Sequence, residues 1–186
     1  MKSHPLLYDE AKRLEDLWSL QLLDTAAEQD FDELVDLAAL ICGCPISMIS
    51  LIDEHRQWFK AKKGVELCET SRDVSFCAHA IRQEDVFIVE NTLADKRFVS
   101  NPLVTGSVHI RFYAGAPIKS PKGYNIGTIC VIDKRPKMLL QKQEEALRML
   151  SRQASRLIEL RIKNSLLNTI QGTPNENRPE LLKHIN

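Results

Sequence analysis

The chain has 186 residues, with 25 Lys plus Arg against 25 Asp plus Glu, so its formal net charge is +0 at neutral pH. The apolar fraction is 44% and the charged fraction 27%, an ordinary globular composition that excludes a disordered, collagen-like or membrane-spanning chain. Balanced charge provides no global field to attract nucleic acid or an anionic membrane.

The sequence begins Met1-Lys2-Ser3-His4-Pro5 and continues with charged residues, without the apolar core of a signal peptide. Its five cysteines (42, 44, 68, 77 and 130) are an odd number. A reduced, cytoplasmic protein is therefore expected rather than a disulfide framework. Residues 6–22 form the first predicted helix, with a stripe of Leu7, Ala11, Leu14 and Trp18 flanked by Leu17 and Leu20. Thr25-Ala26-Ala27-Glu28 has the spacing of a capping box. The helix it would open carries Phe31, Leu34, Val35, Ala38 and Ile41 on one face, with Gly43 placed to stop it and Pro45 to prevent its resumption.

From Ile46 the period changes to two. Residues 46–52 read as a central strand, apolar on both faces, and Arg56 to Ala61 as the returning arm of a hairpin. Ser75 is placed to cap a short helix over 76–82, and residues 86–89 form another strand. Residues 91–107 are irregular, with turn chemistry at Asn101-Pro102 and Thr105-Gly106. Residues 109–118 alternate: Ile110, Phe112, Ala114, Ala116 and Ile118 share one face, His109, Arg111, Tyr113 and Gly115 the other. After the Pro121-Lys122-Gly123 turn, residues 125–133 return with Ile126, Thr128, Cys130 and Ile132 on a common face. A long helix is expected over 139–170, and residues after Gly172 read as a loose tail.

Helices, strands in antiparallel succession and a terminal helix make an α+β fold. The terminal helices should cover one face of the sheet and residues 64–107 the other. A loop stretch of that length usually lids a site.

Several blocks now resemble one family. They include Arg13-x-x-x-Leu17-x-x-Leu20-x-Leu22-Leu23-Asp24-Thr25, Pro45-Ile46-Ser47-Met48-Ile49-Ser50-Leu51-Ile52-Asp53 with Arg56-Gln57-Trp58-Phe59-Lys60, and Ser71-Arg72-Asp73-Val74-Ser75-Phe76-Cys77-Ala78-His79. Asp95-x-Arg97-Phe98-x-x-Asn101-Pro102, Arg111-Phe112-Tyr113-Ala114-Gly115 and Gly127-Thr128-Ile129-Cys130-Val131-Ile132-Asp133 continue the series. In order, over about residues 10–161, they resemble a GAF domain of the bacterial signalling type. The resemblance implies an antiparallel sheet of about six strands, with N- and C-terminal helices on one face and a pocket under a loop and short-helix lid on the other. It also implies dimerisation through the terminal helices and a place upstream of a histidine kinase or diguanylate cyclase. The corresponding division is an N-terminal helix over 1–23, the GAF domain over 24–161, and a helix extension with a flexible tail over 162–186.

Candidate site residues follow from charge and position. Arg111 interrupts a packed strand, so its guanidinium must be solvated, paired or used on a ligand. Asp95, Glu69 or Asp73 could pair with it; otherwise an anionic or carbonyl ligand would lie there between Phe98 and Tyr113. Arg72 could act similarly or pin its own loop. Ser75 and His79, four apart on a short helix, share a face, with Cys77 pointing elsewhere. The ligand-binding set is thus Arg72, Ser75, Cys77, His79, Asp95, Phe98, Arg111 and Tyr113, with no catalytic residue and no metal ligand assigned.

The cysteines admit other chemistries. Phytochrome-type relatives attach a bilin through a cysteine directly followed by His, whereas here Ala78 separates Cys77 from His79. Free methionine sulfoxide reductases of the family use pocket cysteines, and Cys68, Cys77 and Cys130 are formally available. Cys42-Gly43-Cys44 lacks the paired spacing of structural zinc. The expected function is a non-catalytic sensor or regulatory domain that binds an unidentified small molecule, forms a homodimer, or both. A signalling protein is a further expected partner, nucleic acid and membrane are not, and no cofactor is specified. The alternative is a thiol enzyme like the sulfoxide reductases.

Overall fold

In β1 (Ile46–Ile52) all seven residues are buried, because the strand lies inside the sheet and covers both of its faces. Its neighbours are β2 (Arg56–Lys63) and β6 (Asn125–Asp133). With β3 (Glu69–Ser71), β4 (Phe87–Val89) and β5 (Phe112–Lys119), they form a six-stranded antiparallel sheet of order β3-β2-β1-β6-β5-β4. The computed structural model describes residues 9–172, with side chains to 168. The tail expected after Gly172 and the predicted stripe residue Leu7 lie outside the described residues.

Three helices pack on one face: α1 (Glu10–Ser19), α2 (Gln29–Cys42) and α5 (Gln141–Gly172). Leu17, Phe31, Val35, Ala38, Leu147, Ala154 and Ile158 from these helices bury against Ile49, Leu51, Phe112, Ala114, Ile129 and Val131 of the sheet. The opposite face carries a second core. There α3 (Cys77–Ala80), α4 (Pro102–Thr105) and their loops bring Phe76, Ile81, Phe98 and Val104 onto Met48, Phe59, Tyr113 and Cys130. Trp58 and Phe59, adjacent in sequence, fall in different cores, as the two-residue strand period requires. No helix among the described residues is long and apolar enough to cross a membrane.

Gly43 stops α2 in the left-handed conformation, φ 60°, as expected. Pro117 is tolerated in a strand with two neighbours because β4 reaches only to the Phe87–Gly115 pair, beyond which the missing N–H has no strand to face.

Four local expectations are corrected. The helix α1 is turned so that Arg13 and Asp16 are buried with Leu14 and Leu17, while Trp18 stays 47% exposed and donates Nε1–H to Asp53 at 2.8 Å. Charge partners explain this rotation: the Arg13 fork holds Glu10 at 2.8 and 2.9 Å, and Asp16 lies 3.2 Å from Lys122 Nζ. Secondly, Thr25 caps no helix. Its hydroxyl donates to Leu22 O and accepts from Lys60, while α2 starts at Gln29 after Glu28. The cause is Lys60, a buried ammonium that collects Thr25 Oγ1 at 2.9 Å, Ala26 O at 2.7 Å and Glu28 Oε1 at 2.5 Å.

The third correction concerns β5, which begins at Phe112 rather than 109. His109 has φ 54°, so the alternation breaks there, and Ile110 joins Tyr113 in the second core instead of Phe112 in the first. Fourthly, Ile126 lies on the helix-covered side, away from Cys130 and Ile132. Ile118 pairs with Gly127 and Lys119 with Asn125, leaving Ile126 as the extra residue of a bulge. The adjacent Gly127 is required by close approach, since a Cβ there would overlap the Ser50 carbonyl of β1.

Candidate functional site

Between the second face of the sheet and its cover lies a cavity of about 260 Å³. Strand parity builds its floor: Ile46 and Met48 from β1, Gln57 and Phe59 from β2, and Tyr113 from β5 point to the same side. Phe76, Leu103 and Val108 supply cover. Glu66 and Lys134 stand at the exposed rim with opposite charges. The interior is therefore apolar with few polar groups, the usual make-up of a small-molecule site.

Two of those polar groups have bonding capacity left. Gln57 is buried, and its Oε1 accepts from the Ser75 hydroxyl, while its Nε2 has only the Met48 thioether at 3.7 Å. Thr70 Oγ1 is buried against the cavity with no hydrogen-bond partner among the described residues. An amide donor and a hydroxyl thus remain for an occupant. Ser75 also accepts from Ala78 N at 3.1 Å, fixing the start of α3 beside Gln57.

At the wall lies a pair of thiols, Cys77 lining the cavity and Cys130 behind it. The Cys77 and Cys130 sulfurs are 3.8 Å apart, and the Tyr113 hydroxyl donates to Cys77 Sγ at 3.2 Å. Burial pushes Cys130 and Tyr113 well above their ordinary pKa values. Desolvation acts upward on Cys77 too, but hydrogen bonding with Cys130, Ser50, Thr128 and Tyr113 outweighs it and lowers that thiol below its ordinary value.

An aromatic stack holds the cover down. The Phe76 ring lies 4.1 Å from Phe98 and 5.3 Å from Tyr113, and His79 meets Phe98 edge-on at 4.9 Å. Arg97 lies over Phe87 and Phe98, at 4.9 and 5.4 Å from their centroids, and is held there by Asp95 at 2.6 Å. Burial, then Arg82 and Arg97, lower the His79 pKa and favour its neutral form.

Of the eight residues singled out in the sequence, Cys77 and Tyr113 line the cavity, and Ser75 orients Gln57 at its wall. Phe98 and His79 belong to the stack behind it. The other three are placed elsewhere. Arg72 donates to the Asp53 and Glu54 carbonyls and pairs with Glu10 at 2.7 Å, pinning its loop to α1. Asp95 serves Arg97. Arg111 pairs with none of Asp95, Glu69 and Asp73. Its Nη1 donates to the Val104 and Ile110 carbonyls, each at 2.9 Å, and it stands outside the cavity lining. The left-handed turn at His109 carries it there. Gln57, Thr70 and Met48 stand outside the set expected from the sequence; parity with Phe59 and Ile46 marks Gln57 and Met48, while Thr70 reaches the cavity by pairing with Gln57 across β2 and β3.

The other cysteines stand apart. Cys42 and Cys44 pack in the helix-covered core, across the sheet from Cys77. Cys68 is exposed, near Lys62 Nζ at 3.4 Å, and is absent from the cavity lining. The three cysteines of the reductase alternative therefore do not converge.

Residues 26–158 match the profile of the GAF domain. The chain belongs to the GAF family. A cyclic di-GMP phosphodiesterase of Pseudomonas aeruginosa is 41% identical to this GAF chain over 147 residues, 79% of the chain. The GAF chain spans 25% of that relative's length. Among solved structures, the GAF domain of an Acinetobacter phosphoenolpyruvate-protein phosphotransferase superposes with TM-score 0.59 at 20% identity, covering 80% of this chain and 93% of that one. The free methionine-R-sulfoxide reductase of Neisseria meningitidis gives TM-score 0.59 at 13% identity, covering 83% and 92%. These two likenesses show the fold. The family match and the Pseudomonas aeruginosa relative fit a GAF domain better than a sulfoxide reductase.

Proposed function

We propose that this GAF domain is a non-catalytic, cytoplasmic sensor whose cavity binds a small, largely apolar molecule carrying one hydrogen-bond acceptor. The observation behind this reading is the buried Gln57 amide, which aims a donor with only a thioether partner at a mainly apolar cavity of about 260 Å³. A carbonyl placed there would satisfy it, and Thr70 Oγ1 could hold a second polar edge. Because the cover carries Phe76, Leu103 and Val108, an occupant that fits the closed cover better than the open one would shift the balance between them.

Output would pass through the helices. On α5, Met149, Leu160 and Leu167 are exposed, at separations of eleven and seven that suit a helix–helix seam. The inference is a homodimer through the terminal helices that relays cavity occupancy to a signalling partner. Native mass spectrometry tests both parts. A dimer carrying a retained small molecule is expected, with the molecule lost in Ile110→Trp, which fills the cavity, and the dimer lost in Leu160→Lys/Leu167→Lys. A monomer at tens of micromolar would remove the dimer reading. A small molecule retained equally by Ile110→Trp would remove the cavity reading.

A further inference from the structure

The Cys77 and Cys130 sulfurs lie 3.8 Å apart across the junction of α3 and β6, each side chain almost wholly buried. A disulfide places its sulfurs at roughly 2.05 Å, so bonding requires an approach of roughly 1.8 Å, the scale of side-chain adjustment rather than refolding. No other cysteine is placed to compete: Cys42 and Cys44 face the opposite core, and Cys68 is exposed on a loop. Burial would ordinarily make such thiols inert, but Cys77 lines the cavity, which gives a small solute a route to this residue. The hydroxyl of Tyr113 donates to that same sulfur at 3.2 Å, where it can stabilise negative charge.

We propose that Cys77 and Cys130 form a peroxide-oxidisable dithiol, reached through the cavity, with Cys77 as the attacking thiol and Cys130 as the resolving one. Cys77 gives its proton to the departing hydroxide as its sulfur takes one oxygen from hydrogen peroxide, yielding a sulfenic acid and water. The Cys130 thiol then attacks that sulfur, the S–O bond breaks, and the second water leaves as the disulfide forms. Two thiols are oxidised and one peroxide is reduced. The Tyr113 hydroxyl, donating to Cys77 Sγ at 3.2 Å, stabilises the negative charge that this sulfur gains as its proton leaves in the first step. The new bond would draw α3 onto β6 and change the cavity wall beside Phe76 and Tyr113. Oxidation needs no other ligand in the cavity, so it is independent of the metabolite-sensing reading.

The reduced full chain is exposed to hydrogen peroxide, quenched, denatured, alkylated with N-ethylmaleimide and mapped by mass spectrometry. The expected product is a monomer-mass species about 2 Da lighter before alkylation, with two alkylation sites lost and the Cys77 and Cys130 peptides joined. Dithiothreitol should restore both sites. Cys130→Ala should give no cross-link and a dimedone-reactive Cys77, whereas Cys42→Ser/Cys44→Ser/Cys68→Ser should retain the bond. If Cys130→Ala fails to fold, the wild-type peptide map decides. A bond joining any other pair, or Cys77 fully alkylated after peroxide while Cys68 is oxidised, would overturn the proposal.

Discussion

Tyr113 lies along β5 across Gly115, so near that a Cβ at 115 would overlap the phenol oxygen. The tyrosine leans over its own strand, and only a glycine two residues on leaves room for the ring between the sheet and Phe76. Gly115→Ala is expected to displace the ring and destabilise the domain by about 1–3 kcal/mol, read from urea unfolding midpoints. In a Tyr113→Ala background the same alanine should cost far less. Equal costs in the two backgrounds would contradict the contact.

The Lys60 ammonium is buried, whereas its partner Glu28 is 38% exposed and also receives Arg161 at 3.0 Å. Removing either partner therefore has unequal effects. Glu28→Ala strips the counter-charge from a desolvated cation and should cost about 1–3 kcal/mol, below the full cost of breaking a buried pair because water can reach the site. Lys60→Met removes the buried charge itself and should be nearly neutral. Chemical denaturation of both variants checks the order.

Stability should fall in acid through Glu10, which lies between Arg13 and Arg72 at 2.8 and 2.7 Å. Desolvation pushes its carboxyl up, but hydrogen bonds and charge from both arginines prevail and hold it at about 2, below the ordinary 4.5. A carboxyl more acidic in the folded state contributes stability that is fully present above the unfolded value and is lost as pH falls through the folded one. Unfolding midpoints should thus drop more steeply between pH 4.5 and about 2 in wild type than in Glu10→Gln. Parallel curves would rule this out.

Phe76 stacks on Phe98 and borders the cavity. Truncating it to alanine should cost about 3–5 kcal/mol and loosen the cover, visible as faster amide exchange over residues 76–81 and 98–104. Exchange confined to the termini would show that the stack does not hold the cover.

Arg111 makes the converse prediction. Its bonds to the Val104 and Ile110 carbonyls brace α4, so Arg111→Ala should raise amide exchange over residues 103–110 and leave any small molecule retained in the cavity unchanged. Loss of that molecule would return Arg111 to the site.

Much of the fold was legible from local pattern. The period of two in residues 46–52, the apolar run of 125–133 and the stop at Gly43 depend on neighbours in the chain, and β1, the span of β6 and the end of α2 lie where those signals put them. The site was less legible. One left-handed residue at His109 and one bulge at Ile126 each reverse which side the next residue faces, and neither has a strong local signal.

By itself the sequence determined the α+β class, the two apolar faces of the central strand and the kinship with GAF domains, because those rest on periodicity and on motifs read in order. Only the folded chain decided that Arg111 braces a loop, that Gln57 serves the cavity, and that cysteines 53 residues apart in sequence have sulfurs in contact. Such pairings depend on which carbonyl, carboxylate or sulfur the fold brings within about 4 Å, a distance that separation along the chain does not set.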